Sequence, residues 1–168
     1  MVRQRDHQRD THDSKGMAVE AVILIGIQAS GKSTFYLQRF IETHVRINLD
    51  MLRTRPRELA LVAACIAAKQ PFVVDNTNVT REERARYIVP AKAAGFRVVG
   101  YYLRSSIGDS IERNRGRVPT RVVPDKAIAA MYHRLQPPGT EEGFDELYRV
   151  TMTAEGGFAV QDWAKDHS

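Results

Sequence analysis

The amino-acid sequence predicts an α/β fold, a parallel sheet with helices on both faces and a small lid. One observation is the alternation of short apolar runs, rich in β-branched residues, with segments of helical spacing. Another is that polar residues suited to chemistry follow several of these runs directly. Because the carboxyl ends of parallel strands meet at one edge of a sheet, these polar residues are expected to lie together.

Continuous apolar runs mark the predicted strands, as is typical of parallel strands buried on both faces. The run Ala-Val-Ile-Leu-Ile at residues 21–25 is one of them. The predicted strands span residues 21–25, 45–48, 71–75, 96–103 and 147–153, with a short edge hairpin at 158–163.

Helical spacing and helix-start signals mark the segments between the strands. Thr80 and Glu83 form a capping box that opens one helix, and Gly95 ends it. The predicted helices span residues 33–41, 57–69, 80–94, 107–115 and 125–135, with a loop at 116–124.

Composition indicates one globular domain behind a polar tail. The chain has 168 residues, 43% of them hydrophobic, which suffices for one core. After Val2, residues 1–16 contain no hydrophobic side chain, which predicts a disordered tail ahead of a single domain at 17–168. No apolar run approaches about 20 residues, so no membrane span is expected. Cys65 is the single cysteine, so no internal disulfide can form, and a cytoplasmic location is expected.

A glycine-rich turn follows the first predicted strand and opens the first predicted helix. Its sequence, Gly-Ile-Gln-Ala-Ser-Gly-Lys-Ser at residues 26–33, matches the P-loop pattern without a mismatch. Successive backbone N–H groups of such a loop point at a phosphate, and the helix N-terminus favours the negative charge. The motif predicts ATP and Mg²⁺ as cofactors, with Lys32 on the β- and γ-phosphates and the Ser33 hydroxyl on the metal. The predicted nucleotide contacts are Gly26, Ile27, Gln28, Ala29, Ser30, Gly31, Lys32, Ser33 and Thr34.

Two carboxylates follow predicted strands. Asp50 comes after the strand at 45–48, where it suits a base acting on an acceptor hydroxyl; a helix-capping role fits the spacing equally well. Asp75 ends the strand at 71–75, where a carboxylate typically orders the water shell of Mg²⁺; the alternative is a turn-forming aspartate.

Arginines are concentrated near this predicted site. The net charge of +5 and a pI of about 9.6 favour anionic partners. A basic run contains Arg113, Arg115 and Arg117, and a lid arginine from it would neutralise charge in phosphoryl transfer. All three side chains cannot point at one site, so at least one is expected to face solvent.

Four segments together resemble the 5′-hydroxyl polynucleotide kinase domain of phage and eukaryotic end-healing enzymes. The phosphate loop is common to NTPases, whereas the Asp-Asn-Thr-Asn segment is particular to this family and its close relatives. The segments are residues 26–34, Asn48-x-Asp50-x-x-Arg53, Asp75-Asn76-Thr77-Asn78-x-x-Arg81, and Asn114-Arg115-Gly116-Arg117 followed by Val123-Pro124.

The resemblance implies a P-loop NTPase fold of the nucleoside-monophosphate-kinase type and a role for each matching residue. Asp50 is expected to activate the 5′-hydroxyl, and Arg53 to contact a phosphate of the acceptor strand. Arg117 is the expected lid arginine on ATP, with Arg113 and Arg115 as further candidates. The residues expected to line the site near metal and acceptor are Asp75, Asn76 and Asn78.

The sequence departs from the resemblance in ways that leave the acceptor open. The phosphatase motif of the phage enzyme is absent from these 168 residues, so a phosphatase or ligase partner is expected on another chain. Relatives with this core phosphorylate small alcohols or antibiotics, or act as toxins. An open basic groove would favour a polynucleotide 5′-hydroxyl, and a closed, narrow pocket a small molecule. A third possibility, a nucleotide-binding regulatory module without catalysis, is disfavoured because Lys32 and Asp50 are both present.

Overall fold

A six-stranded sheet forms the centre of the molecule, which we describe from a computed structural model covering residues 18–163. The tail predicted at residues 1–16 lies outside this described part. The strand order is β2-β3-β1-β4-β5-β6; β6 pairs antiparallel with β5, and all other pairings are parallel. The strands are β1 Glu20–Ile25, β2 Val45–Ile47, β3 Phe72–Val74, β4 Arg97–Leu103, β5 Glu146–Met152 and β6 Phe158–Asp162.

The two faces of the sheet carry separate apolar cores. Successive side chains of a strand point to opposite faces, and in β1 they divide between the two cores. Ile23 and Ile25 belong to one core, whereas Val22 and Leu24 belong to the other. These four side chains are fully buried, which explains why β1 reads as a continuous apolar run.

Helices cover both faces and confirm the predicted α/β architecture. α3 and α4 pack on the face that holds Ile23, and α1 packs on the face that holds Val22. α5 and α6 pack against each other. The helices are α1 Lys32–Arg39, α2 Leu49–Leu52, α3 Arg55–Ala68, α4 Arg81–Ala93, α5 Ile107–Arg115 and α6 Asp125–Arg134. Within residues 18–163, none of these helices is long and apolar enough to cross a bilayer.

Helix caps explain where the elements begin. The predicted capping box is confirmed, since the Thr80 side chain accepts from the Glu83 N–H and Glu83 accepts from the Thr80 N–H. The short helix α2 was not predicted from the sequence. Asn48 leaves the sheet to cap it, accepting from the Met51 N–H at 2.9 Å. Asp50 lies in the first turn of α2 and caps no helix.

A buried ion pair fastens α4 to a single 3₁₀ turn at Thr140–Glu142. The Arg84 guanidinium donates to both carboxylate oxygens of Glu142, at 2.8 and 3.0 Å. Its remaining nitrogen donates to the backbone carbonyls of Asn78 and Val79, at 2.9 and 3.2 Å. The Arg84 side chain is 0% exposed and that of Glu142 7%. The pair therefore holds in place the loop that carries Asn78.

Replacing Arg84 with methionine is expected to lower the free energy of unfolding by about 3–5 kcal/mol, because Glu142 becomes an unpaired buried charge. Arg81, on the same helix, supplies the control: it pairs with the neighbouring Glu141 at 2.8 Å, but both side chains are more than half exposed. Arg81→Met is expected to cost less than about 1 kcal/mol. Urea denaturation measures both. Similar losses in the two variants would contradict a structural role specific to the buried pair.

Candidate active site

A cavity of about 440 Å³ opens at the carboxyl edge of the parallel strands. Its walls come from the loops after β1 and β3, from α2, and from the region of α5 and α6. It brings together most of the residues predicted from the sequence. These are Gln28, Ala29, Ser30, Gly31, Lys32, Ser33, Thr34, Asp50, Asp75, Asn76, Asn78, Arg113 and Arg117.

The loop after β1 has the shape of a phosphate cradle. Gly31 adopts φ +99°, a conformation that strains any other L-residue. A Cβ on Gly26 would lie 2.6 Å from Ser30 Oγ and 3.0 Å from the Leu103 carbonyl oxygen. No side chain caps the N-terminus of α1 and no acidic residue lies in its first turn. The first amides of α1 are therefore left for an anion, as in phosphate-binding loops.

Lys32 lies across the mouth of this loop. Its ammonium donates to the backbone carbonyls of Gly26 and Ile27, at 2.8 and 2.7 Å. Burial lowers the pKa of Lys32 to about 8; the Asp75 carboxylate opposes this shift, and the Arg117 guanidinium adds to it. Among residues 18–163, the ammonium has no anionic partner within hydrogen-bonding distance, and a bound phosphate would supply one.

Ser33 and Asp75 lie side by side, as a shared metal site requires. The Ser33 hydroxyl donates to Asp75 Oδ2 at 3.1 Å, and Asp75 is 2% exposed. A hydroxyl and a carboxylate are hard oxygen donors, and proteins usually hold Mg²⁺ through one or two such groups together with substrate phosphates. The two residues fit that role. Within residues 18–163, no group of three or more acidic, histidine or cysteine residues forms a protein-only metal cage.

Arg46, which was not predicted from the sequence, projects from β2 onto the same two side chains. Its guanidinium donates to Asp75 Oδ2 from Nε at 2.8 Å and approaches the same oxygen with Nη2 at 2.7 Å. The same Nη2 donates to the Ser33 hydroxyl at 3.1 Å. The only signal in the sequence is a charged residue between Val45 and Ile47 of a short strand, and the contact itself depends on how β2 pairs with β3.

Asp50 reaches the cavity from α2, and two asparagines fix that helix. Asn48 donates to the Asp75 carbonyl at 2.6 Å while capping α2, and Asn76 accepts from the Leu49 N–H at 2.9 Å. Asp50 itself is exposed and lines the cavity. Its carboxylate is therefore free to meet a hydroxyl, on a helix tied to the loop that holds Asp75.

A buried polar network supports the wall beside Asp50. Glu58 is 0% exposed and accepts from the Tyr87 hydroxyl at 2.5 Å, from Arg55 at 2.6 Å and from Asn76 at 2.8 Å. Burial, followed by the hydrogen bond to Glu58, raises the pKa of Tyr87. This network was missed in the sequence because its members come from α3, α4 and the loop after β3.

The three arginines predicted for a lid have different positions. Arg113 Nε donates to the Ala29 carbonyl at 2.7 Å, and its Nη2 donates to the Ser105 hydroxyl, so this residue holds the phosphate loop. Arg117 lines the cavity. Arg115 is exposed and pairs with Asp125 at 3.3 Å. The expectation that at least one arginine of the run faces solvent is met by Arg115.

Two predicted acceptor-side residues have unexpected positions. Arg53 ends α2 with φ +74° and does not line the cavity, whereas Arg55 and Arg86 do. Asn78 is 3% exposed, and its side chain donates to the Leu24 carbonyl at 2.8 Å, which anchors the loop after β3 to β1. Asn78 thus has a structural contact besides its place at the cavity.

Comparisons with known proteins show the family of this chain. A family model described as "AAA domain" matches residues 22–138. The chain is 29% identical to the bifunctional polynucleotide phosphatase/kinase of Schizosaccharomyces pombe over 143 residues, covering 83% of this chain and 35% of that protein. It is 24% identical to the L-seryl-tRNA(Sec) kinase of Methanococcus maripaludis, covering 74% of this chain and 55% of that protein. The chain thus spans between a third and about half of the length of these curated relatives.

Among solved structures, Kti12 of Chaetomium thermophilum in complex with ADP-AlF3 shares the fold. Its TM-score is 0.60 at 17% identity, over 78% of this chain and 88% of that chain. The matched residues 22–138 include the phosphate loop, Asp50, Asp75, Arg113 and Arg117, which all line the cavity or border it. The chain therefore belongs to the AAA domain family and has the fold of its P-loop kinases.

Proposed function

We propose that this protein is an ATP-dependent kinase that transfers the γ-phosphate of ATP to the 5′-hydroxyl of a polynucleotide. The observation that carries the proposal is the shared cavity of Lys32 and Asp50. One side of the cavity has the donors that a triphosphate needs, and the other presents an exposed carboxylate on a fixed helix. The S. pombe relative, named a polynucleotide phosphatase/kinase, supports the choice of acceptor.

On the nucleotide side, each residue has a defined task. The amides of the loop and of the start of α1 bind the phosphates, and the Lys32 ammonium exchanges its two carbonyl partners for phosphate oxygens. Arg113 keeps the loop in shape, and Arg117 faces the cavity, where charge develops during transfer. Ser33 and Asp75 would hold Mg²⁺, which when bound neutralises phosphate charge.

On the acceptor side, Asp50 orients the hydroxyl and takes its proton. The hydroxyl oxygen forms a bond to the γ-phosphorus as the bond to the β-phosphate bridging oxygen breaks. ADP leaves with the electron pair of that bond, and the proton remains on Asp50 until solvent removes it. The hydrogen bonds of Asn48 and Asn76 keep α2 in position for this step.

The charge of the cavity favours an acceptor with phosphates. Four arginines line it besides Arg113: Arg55, Arg86, Arg117 and Arg121. Tyr101 and Tyr148 stack on each other and pack against the core, so neither offers a base-stacking platform in the cavity. Binding through phosphates implies strong salt dependence and little sequence preference.

A transfer assay tests this function. The protein is incubated with γ-³²P-ATP and Mg²⁺, and with 5′-hydroxyl DNA and RNA oligonucleotides, nucleosides, seryl-tRNA or small alcohols. Label on the 5′ end of oligonucleotides, removed by a phosphatase, is the expected result. Label confined to nucleosides, small alcohols or seryl-tRNA would overturn the polynucleotide acceptor and leave the kinase reaction in place.

Replacing Arg86 with alanine is expected to raise the KM for an oligonucleotide by about tenfold, since a lost phosphate contact costs on the order of 1–2 kcal/mol. The KM for ATP should stay within about twofold. Arg86 contacts the Glu58 network only through Tyr87, whereas removing Arg55 would take a charged partner directly from the buried Glu58. A slope of log KM against log salt that is smaller by about one would identify the lost contact as a phosphate contact.

Arg53→Ala provides the comparison, because the family resemblance assigns the acceptor phosphate to Arg53 although it lies outside the cavity lining. If Arg53→Ala raises the oligonucleotide KM and Arg86→Ala does not, the family role is retained and our placement of the acceptor is wrong.

A further inference from the structure

A protein cation, the Arg46 guanidinium, already contacts the Ser33–Asp75 pair. The Arg46 guanidinium places two nitrogens within 2.8 Å of Asp75 Oδ2, and one of these also lies 3.1 Å from Ser33 Oγ. The Asp75 side chain is 1% exposed, so its charge requires a partner in the free protein. Arg46 supplies that partner at the two atoms that suit a divalent cation.

Arg46 packs against an aromatic ring on one side and is partly exposed to solvent on the other. Its guanidinium lies 5.7 Å from the centre of the Tyr36 ring, a cation–π distance, and the Tyr36 hydroxyl is itself anchored on the His44 carbonyl at 2.9 Å. The Arg46 side chain is 30% exposed. The Arg46 side chain therefore has a defined position in the free protein, and because β2 is an edge strand it can move toward solvent.

We propose that Arg46 competes with the divalent cation for the Ser33–Asp75 pair and turns aside when the metal–nucleotide complex binds. Oδ2 of Asp75 already accepts from Arg46 and from Ser33, and Ser33 Oγ accepts from Arg46, so a cation bound through either oxygen meets lone pairs that Arg46 now holds. A guanidinium and a divalent cation on one oxygen also repel each other strongly in a buried site. The affinity for the metal then depends on a difference in free energy: that of Ser33 and Asp75 paired with the cation minus that of the same residues paired with Arg46.

The inference rests on the proposed nucleotide site but not on the identity of the acceptor, and a metal titration without acceptor tests it. Mn²⁺ is titrated into protein with saturating ADP, and the free ion is followed by electron paramagnetic resonance. Arg46→Gln is expected to lower the Kd for Mn²⁺ by about five- to tenfold, in the lower range of typical couplings between sites. Binding of ADP in EDTA should change by less than about twofold.

Two further variants sharpen the result. Arg46→Lys keeps the charge, but a single ammonium cannot reproduce the fork that spans both residues, so an intermediate Mn²⁺ affinity is expected. If Arg46→Gln does not fold, Arg46→Lys tests the competition by itself, because a weaker competitor should still raise the Mn²⁺ affinity. Arg39→Gln is the matched control, because Arg39 lies over the Phe35 ring on α1, at 5.3 Å, away from Asp75. Its Mn²⁺ affinity should equal that of the wild type.

The outcomes separate this inference from the proposed function. Mn²⁺ affinity that is unchanged or weaker in Arg46→Gln would overturn the competition and make Arg46 a support for Asp75. Weaker ADP binding in EDTA would instead place Arg46 on the phosphates, which also overturns it. If the wild type binds neither ADP nor Mn²⁺ with ADP, the proposed function itself fails.

Discussion

Replacing Lys32 with alanine is expected to reduce phosphoryl transfer by about 10²–10³-fold, the loss seen when one preorganised donor to transition-state charge is removed. The reason is specific to this site. The Lys32 ammonium is buried on two backbone carbonyls of the phosphate loop, and within the described part of the chain no other lysine lines the cavity. ATP affinity should fall as well, because the ammonium also meets the ground-state phosphates. Single-turnover transfer and equilibrium binding of ATP measure the two effects.

The lowered pKa of Lys32 adds a pH signature to this prediction. In the free protein its pKa is about 8, so above that pH much of Lys32 is neutral. Anionic phosphates favour the charged form, and nucleotide binding should therefore raise this pKa and take up a proton at pH 8–9. ATP affinity should fall as pH rises through about 8. Calorimetry in two buffers of different ionisation enthalpy measures the uptake, which Lys32→Ala should lose.

An exposed lysine is the control for these measurements. Lys126→Ala, on α6 and outside the cavity lining, should keep both transfer and proton uptake. Near-normal transfer in Lys32→Ala would contradict a role for the phosphate-loop lysine in phosphoryl transfer. Uptake that persists in Lys32→Ala would assign the proton to another group.

The sheet was predictable where single strands carry their own signal. β1 and β3 read as continuous apolar runs because both of their faces are buried. The predicted strand at 45–48 ends at Ile47 instead, since Asn48 leaves the sheet to cap α2. That helix has four residues and shows no periodicity that a sequence reading can detect. The strand order was not predictable either, since it depends on contacts between distant segments.

The candidate site, like the sheet, was predictable only where a local motif carries the signal. The phosphate loop is a local motif, so Lys32 and Ser33 were found from spacing alone and lie together in the cavity. Arg46 and Glu58 were missed because each acts on residues about 20–30 positions away along the chain. The pairing of β2 with β3 places Arg46 on Asp75, and the packing of α3 places Glu58 under Asn76. Local motifs therefore predicted the position of the phosphate loop better than the polar contacts around Asp50 and Asp75.

Asp50→Ala is expected to lower kcat by about 10²–10⁴-fold, the usual contribution of a positioned general base. ATP affinity should change by less than about twofold, because the backbone contacts that hold α2, from Asn48 and Asn76, do not involve the Asp50 carboxylate. This separation of chemistry from nucleotide binding distinguishes a catalytic carboxylate from a structural one. Single-turnover transfer to an accepted oligonucleotide, alongside ATP binding, measures it.

The control must also remove an acidic residue from the first turn of a helix, since a carboxylate there stabilises the helix through its dipole. Asp109 meets this requirement: it lies in the first turn of α5, is exposed, and does not line the cavity. Asp109→Ala should therefore retain normal kcat. Near-normal turnover in Asp50→Ala would show that the acceptor proton leaves by another path. An equal loss in both variants would trace the effect to helix stability, because of these two residues only Asp50 lines the cavity.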